Sequence, residues 1–162
     1  MSKKFIIASA AFLATAMIAA PASAAVITFE GFAQGTIMDN EYAGQGLTIS
    51  VTNNRVGAAF HNGVIFDTND NPGTSRDPDL LAPFDDLSTA GNDLFMPGNV
   101  LIIQEADGST SCNATSCTPA DDEGAGGIIR FDWSSDVTVN SFNYFDIEAG
   151  EAMMTVLMYD VG

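Results

Sequence analysis

Side chains that could bind a metal ion are concentrated in one stretch near the middle of the sequence. The apolar run 63–66 ends at Asp67, and acidic and amide side chains follow in a segment interrupted by Pro72, Gly73 and Pro78. These prolines and the glycine disfavour regular structure, so the segment is predicted to be a loop that leaves a strand. Oxygen ligands crowded onto a loop suit Ca²⁺. We therefore predict a calcium site with the candidate ligands Asp67, Asn69, Asp70, Asp77 and Asp79.

The spacing of these residues does not match an EF-hand loop. Asp67, Asn69 and Asn71 alternate as the first EF-hand ligands do, but Pro72 stands where that loop needs glycine. The position that requires glutamate in an EF-hand holds Pro78. The predicted site is therefore an irregular oxygen cage, and the alternative interpretation is an exposed turn that needs soluble side chains.

The chain has two cysteines, Cys112 and Cys117, separated by four residues. In an oxidising compartment so close a pair is predicted to form a local disulfide, which would stabilise the fold by about 2 kcal/mol. A zinc site would need more cysteine or histidine nearby, and His61 is the only histidine. We expect the disulfide to pin the tip of a loop.

Aromatic side chains are the basis of a second hypothesis, carbohydrate binding, for which the candidates are Trp133, Tyr42, Tyr144 and Tyr159. Sugar rings stack on exposed aromatic rings, and Trp133 is the chain's single tryptophan. It ends a predicted strand, however, and strand aromatics usually pack into a core. Carbohydrate binding therefore rests on analogy with jelly-roll modules, and a core role for Trp133 is the alternative.

A polysaccharide-degrading enzyme is the third hypothesis. Paired carboxylates can hydrolyse glycosidic bonds, but Asp85-Asp86 and Asp121-Asp122 are adjacent, and adjacent side chains of an extended chain point apart. The sequence has no Gly-x-Ser-x-Gly elbow, and His61 precedes a predicted turn. With so few candidate general bases we expect no catalytic activity.

The first 24 residues predict export from the cell. Lys3 and Lys4 precede the apolar stretch 5–20, and an Ala-Ser-Ala pattern at 22–24 fits a signal-peptidase site. No stop-transfer segment follows, so residues 1–24 are predicted to be a cleaved signal peptide rather than a retained anchor. Residues 25–162 then form one secreted domain, long enough to bury a core.

Removal of the signal peptide leaves a strongly acidic chain. Three arginines and no lysine remain against 21 acidic residues, a formal charge of −18. Such a chain is expected to repel nucleic acid and anionic lipid surfaces, because both are bound through lysine and arginine clusters. Such a surface favours divalent cations, and extracellular polysaccharide is the partner that the carbohydrate-binding hypothesis implies. The sequence leaves the oligomeric state open.

Short segments of β-type sequence recur along the mature chain and predict an all-β fold. Leu47, Ile49 and Val51 alternate with polar residues, and the unbroken run 100–103 fits a strand buried on both faces. No stretch has a convincing helical period. Antiparallel strands joined by glycine, aspartate and asparagine turns favour a β-sandwich, jelly-roll-like in topology. The predicted strands are 25–30, 47–52, 56–60, 64–66, 100–103, 128–133, 137–147 and 153–159.

The C-terminal end of the sequence affects how the sheet closes. The last predicted strand, 153–159, runs into an apparent turn at Asp160 with no partner after it. Folded proteins normally cover or blunt such an edge. We therefore expect the chain to be a truncated form of a longer domain.

Short phrases typical of one group of proteins recur along the mature chain, at 27–31 with 35–36, 46–50, 65–68, 77–80, 98–103 and 126–132. These phrases resemble bacterial secreted proteins that carry PEP-CTERM-type sorting signals and related choice-of-anchor domains. The resemblance implies a β-sandwich that is exported and then displayed or released outside the cell, in surface or matrix roles. It implies no catalytic residues. The Pro-Glu-Pro motif, terminal apolar helix and basic tail of the sorting signal are not in this sequence.

Overall fold

The computed structural model describes residues 25–69, 80–85, 94–145 and 155–159. The predicted signal peptide and three of the candidate calcium ligands lie outside these residues. Within them the chain forms eight β-strands and one 3-10 turn, which confirms the all-β prediction. The elements are the 3-10 turn Ala43–Gln45 and the strands β1 Leu47–Asn53, β2 Gly63–Asp67, β3 Phe84–Asp85, β4 Leu94–Phe95, β5 Asn99–Ile103, β6 Ser111–Cys112, β7 Cys117–Thr118 and β8 Gly127–Trp133.

The strands pair two by two, and every pair is antiparallel. β1 pairs with β8 and β2 with β5, while β3–β4 and β6–β7 are shorter ladders. Along β1 the burial alternates as predicted: Leu47 and Ile49 are buried, and Thr48 and Ser50 are exposed. This alternation arises because successive side chains of a strand point to opposite faces.

The β2–β5 pair is covered on both faces, which explains its unbroken apolar sequence. Val64, Ile65 and Phe66 are each 0% exposed. Backbone hydrogen bonds extend this pair on both edges, from Met38 N to Gly63 O at 2.8 Å and from Glu123 N to Ile103 O at 2.9 Å. The pair is therefore the middle of the described structure.

Two apolar clusters pack against opposite faces of β2–β5. One lies between this pair and β1–β8. The other lies under the β6–β7 hairpin and the segment that begins at Leu80. The first cluster contains Met38, Tyr42, Leu47, Ile49 and Ile65, and the second contains Ile37, Val64, Phe66, Leu80, Ile102, Cys117 and Ala120.

The N-terminal strand predicted over 25–30 is wrong, because residues 25–29 join no ladder. The segment is held by side chains instead: Ile27 and Phe29 pack against the first cluster, and Asn99 Nδ2 donates to the Phe29 carbonyl oxygen at 3.0 Å. The Tyr42 hydroxyl donates to the Thr28 carbonyl oxygen. Ile27 and Phe29 therefore pack on the core without the ladder that a strand requires. The weak strand predicted over 56–60 is also absent.

The strands predicted over 137–147 and 153–159 are wrong wherever the structure describes them. Residues 137–145 and 155–159 carry no strand, and Val139 and Phe142 are 45% and 51% exposed. The alternating pattern is present, but a strand forms only where a neighbour completes its ladder. Among the described residues, these two segments join none of the β-ladders.

Candidate functional site

The structure describes two of the five candidate calcium ligands. Asp67 is the last residue of β2, where its backbone N donates to Gln34 Oε1 at 3.3 Å. Its carboxylate Oδ1 accepts a hydrogen bond from Asn69 N at 3.0 Å, which fixes the first turn of the loop. The other three candidates, Asp70, Asp77 and Asp79, lie outside the described residues. The five-ligand site therefore stays a prediction.

Trp133 ends β8 directly opposite Leu47 of β1. Its side chain is half-buried and packs against the cluster that contains Met38 and Tyr42. The ring thus helps to cover the core beside β1. Sugar stacking on Trp133 stays a prediction, and its half-exposed edge is the part that a ligand could reach.

The predicted disulfide is confirmed. Cys112 and Cys117 are bonded across the β6–β7 hairpin, with their Cα atoms 4.0 Å apart. Cys117 is 1% exposed, and its N–H donates to the Gly35 carbonyl oxygen at 2.9 Å. A Cβ atom at Gly35 would collide with the Cys117 carbonyl oxygen, so this close approach requires glycine. The disulfide therefore clips a hairpin that is itself bonded to the core.

Sequence reasoning missed a buried polar network at the end of β1. Its centre is Glu123, which is 4% exposed and lies in the segment beside β5. Arg55 Nε donates to Glu123 Oε2 at 2.8 Å, and Arg55 Nη2 donates to Glu105 Oε1 at 2.7 Å. One arginine thus bridges two carboxylates from different segments.

Asn53 connects this network to β1 and to β5. Its side-chain Nδ2 donates to Glu123 Oε2 at 2.9 Å and to the Gln104 carbonyl oxygen at 3.0 Å. Its backbone N donates to His61 Nδ1 at 3.0 Å. The hydrogen bonds of Asn53 therefore connect four segments of the chain, which contain Asn53, His61, Gln104 and Glu123.

The charge on Glu123 is set by its donors. Burial alone would raise the pKa of its carboxyl group, but hydrogen bonds from Arg55, the Ala125 N–H, Asn53 and the Ala106 N–H outweigh burial and lower the pKa to about 2. Both carboxylate oxygens accept protein hydrogen bonds. Glu123 is thus an ionised structural group with no proton to donate at neutral pH.

Glu105 behaves in the opposite way, although it shares the same arginine. Burial raises the pKa of Glu105, and the negative charges of Asp107 and Asp121 raise it further, against the lowering effect of Arg55. One guanidinium cannot stabilise the several carboxylates around it equally. Glu105 also contacts Arg55 directly, but burial and the neighbouring carboxylates outweigh that contact and keep its pKa raised.

A signal for this network does exist in the sequence. Arg55 is one of three basic residues after residue 24, against 21 acidic ones. A cation that rare in an acidic chain is a good candidate for a specific ion pair. Its partners could not be identified, because Glu105 and Glu123 are 50 and 68 residues away and only the fold brings them together.

An open cleft with a volume of about 200 Å³ lies beside this network, between β5 and β8. Its lining includes the apolar residues Leu101, Ile103 and Ile129 and the acidic residues Asp122 and Glu123. Typical small-molecule sites enclose about 300–1,000 Å³. The cleft is therefore smaller than a typical small-molecule site.

In the described part of the chain, no group of three or more histidine, cysteine, aspartate or glutamate side chains is placed to hold a metal ion. Among the same residues, no helix is long and apolar enough to cross a membrane. No family model, curated protein or solved structure matches this chain.

Proposed function

We propose that this chain is a secreted or cell-surface, non-catalytic β-sandwich protein with a structural, adhesive or matrix role. The observation that carries the proposal is the disulfide between Cys112 and Cys117, seated in the core through the buried Cys117. Such bonds form and persist in oxidising compartments, which is where an N-terminal segment of the signal-peptide type directs a chain.

The packing between the two longest ladders supports the sandwich. Leu47 and Ile49 of β1 pack in one cluster with Ile65 of β2, and Leu101 of β5 joins them. This cluster lies between the inner faces of two antiparallel pairs, as in a β-sandwich core. A jelly-roll order of strands is the finer part of the same proposal.

The use of charge in the fold supports a role without catalysis. Glu123, the described carboxylate with the strongly lowered pKa, is fully engaged by Arg55, Asn53 and two backbone N–H groups. A catalytic acid or base needs a group that can exchange a proton near neutral pH. Here the burial and the hydrogen bonds act to fasten segments together.

Export is tested by fractionating a culture of the producing cells. We expect the protein in the medium or on the cell surface, with Ala25 as its N-terminal residue by protein sequencing. A full-length chain beginning at Met1 and confined to the cytoplasm would contradict the proposal.

Calcium stabilisation belongs to the same proposal and is tested by thermal unfolding. Millimolar Ca²⁺ should raise the melting temperature of the apo protein, because a ligand that binds only the folded state stabilises it by mass action. Asp67→Asn should remove the rise, and Asp136→Asn, which changes an exposed carboxylate outside the loop, should keep it. An unchanged transition in the parent protein would exclude a calcium role.

Extracellular polysaccharide is the proposed partner. Its test distinguishes binding through acidic groups and Ca²⁺ from stacking on the Trp133 ring. A glycan array should show binding that depends on Ca²⁺ if acidic groups hold the polysaccharide through the metal. Binding that survives chelation but is lost in a folded Trp133→Ala variant would assign it to ring stacking. A silent array in both conditions would remove polysaccharide as the partner.

A further inference from the structure

Among the described residues, no strand pairs with the outer edge of β8. In the described part of the chain β8 pairs only with β1, over seven residues in unbroken register. Natural edge strands are usually protected by charged side chains, especially lysine, by proline, by a bulge or by a covering segment. β8, with the sequence Gly-Ile-Ile-Arg-Phe-Asp-Trp, has neither lysine nor proline, and its register shows no bulge.

The hydrogen bonds to β1 determine which peptide groups of β8 point outward. Ser134 N donates to the Gly46 carbonyl oxygen, and Asn54 N donates to the Gly126 carbonyl oxygen. In an antiparallel ladder the bonded pairs alternate with non-bonded ones, so the even-numbered residues of β8 bond to β1. The N–H and C=O groups of Ile129, Phe131 and Trp133 therefore face the open edge.

We propose that β8 pairs antiparallel with β8 of a second copy of this chain, about a two-fold axis at Phe131. Phe131 then lies opposite its own symmetry mate, and Ile129 lies opposite Trp133 of the other copy. Arg130 of each copy lies opposite Asp132 of the other. The four strands form one continuous sheet in the order β1, β8, β8, β1.

Charge selects this register over its neighbours. Moving the axis by one residue toward Arg130 would place Arg130 opposite Arg130, and moving it the other way would place Asp132 opposite Asp132. Like charges directly opposite each other destabilise a strand pair, while opposite charges stabilise it. The sequence Arg-Phe-Asp is therefore self-complementary about Phe131 alone.

The exposure of these side chains leaves the edge accessible. Arg130 and Asp132 are ion-paired within the chain, yet their side chains are 67% and 42% exposed. Phe131 is 46% exposed and Ile128 61%, so both offer apolar surface for a partner to cover. An ion pair with no net charge also makes β8 a favourable place of approach for two acidic chains.

Electrostatics predicts how the association depends on salt. The mature chain carries a formal charge of −18, with three basic against 21 acidic residues, so two copies repel each other at long range. Salt at about 0.15 M screens charges farther apart than about 8 Å, whereas the facing pairs of β8 lie closer than that. The dimer should therefore strengthen when salt rises from about 0.01 M to 0.15 M.

Sedimentation velocity over a range of protein concentrations tests the dimer. The parent protein should show a monomer–dimer equilibrium, and Asp132→Arg should weaken it at least about tenfold by placing arginine opposite arginine twice. The double variant Arg130→Asp with Asp132→Arg restores opposite charges and should restore the dimer. Asp136→Arg makes the same charge change as Asp132→Arg outside the strand and should leave the dimer intact.

Either of two results would overturn the proposal. One is a parent protein that stays monomeric up to several hundred micromolar at 0.15 M salt, as expected if another segment of the same chain covers the edge. The other is a double variant that folds, by circular dichroism, but associates no better than Asp132→Arg.

A cysteine cross-link tests the position of the axis independently of charge. Cα atoms of a hydrogen-bonded antiparallel pair lie about 5.5 Å apart, within the range that a disulfide spans. Phe131→Cys should therefore form a covalent dimer on mild oxidation. Ser50→Cys, an exposed position on β1, should not. Equal cross-linking of both variants would mean random collision and would contradict the register.

Discussion

The central β2–β5 pair and the polar network beside it are held together by different kinds of buried side chain. The central pair uses apolar side chains such as Phe66 and Val64, both 0% exposed, which are interchangeable in kind and need no particular partner. The network uses Asn53, Glu105 and Glu123, whose polar groups depend on specific hydrogen bonds, among them those that Arg55 donates to the two glutamates. Apolar burial tolerates imprecise geometry, whereas a buried ion pair stabilises only when its hydrogen bonds are complete.

The largest loss of stability should come from a substitution in the apolar core of the β2–β5 pair. Phe66→Ala removes a fully buried ring from the cluster beneath the β6–β7 hairpin and should lower the free energy of unfolding by about 3–5 kcal/mol. Urea denaturation measures it. Phe142→Ala, at a side chain 51% exposed, is the matched control and should change the free energy by less than about 1 kcal/mol. Similar losses in both variants would show that Phe142 is buried in solution.

The same contrast explains how much of the fold could be predicted from the sequence. β1, β2, β5 and β8 were predicted because their apolar residues follow the period of a strand or form a short unbroken run. The segment 137–145 has the same period and is not a strand. The alternation of apolar and polar residues shows that the side chains suit a sheet. A ladder also needs a neighbouring strand, and the local sequence does not specify one.

The site was less predictable for a related reason. The disulfide was predictable because Cys112 and Cys117 are close in sequence. The network was not, because Arg55 meets Glu123 only after β1, β5 and the segment 121–125 have been brought together. Three of the predicted calcium ligands lie outside the described residues, so that prediction is still open.

Disrupting the polar network should have the next largest effect on the free energy of unfolding. Glu123→Gln removes the negative charge and turns an amide N–H group toward Arg55 or Asn53, so we expect a loss of about 3 kcal/mol at pH 7. Asp132→Asn breaks the exposed Arg130–Asp132 pair and should cost less than about 1 kcal/mol. Urea denaturation at low protein concentration compares the two variants. Equal, small losses would mean that the network contributes nothing beyond a surface pair.

Low pH should selectively reduce the stability that the polar network contributes. The pKa of Glu123 is lowered from 4.5 to about 2, so its contribution is fully present above pH 4.5 and is lost as the pH falls toward 2. Glu105 has the opposite sign: its raised pKa gives stability below pH 4.5 that is lost as the pH rises through the folded-state pKa. The difference in unfolding free energy between the parent protein and Glu123→Gln should therefore shrink by about 2–3 kcal/mol between pH 5 and pH 2. A constant difference would assign the effect of Glu123→Gln to packing.

Reduction of the disulfide is the change with the smallest expected effect. It tests whether the apolar packing of the β6–β7 hairpin depends on a covalent bond. Reduction opens a loop of only a few residues, so the chain-entropy model gives a loss of about 2 kcal/mol. The hairpin should stay docked after reduction, because the bond from Cys117 N to the Gly35 carbonyl oxygen and the burial of Ala120 do not depend on it. Amide hydrogen exchange at Cys117 in reduced and oxidised protein measures this directly. Slow exchange in both states, with a small loss in urea stability, would show that apolar packing positions the hairpin and the disulfide only reinforces it. Fast exchange on reduction would show the reverse.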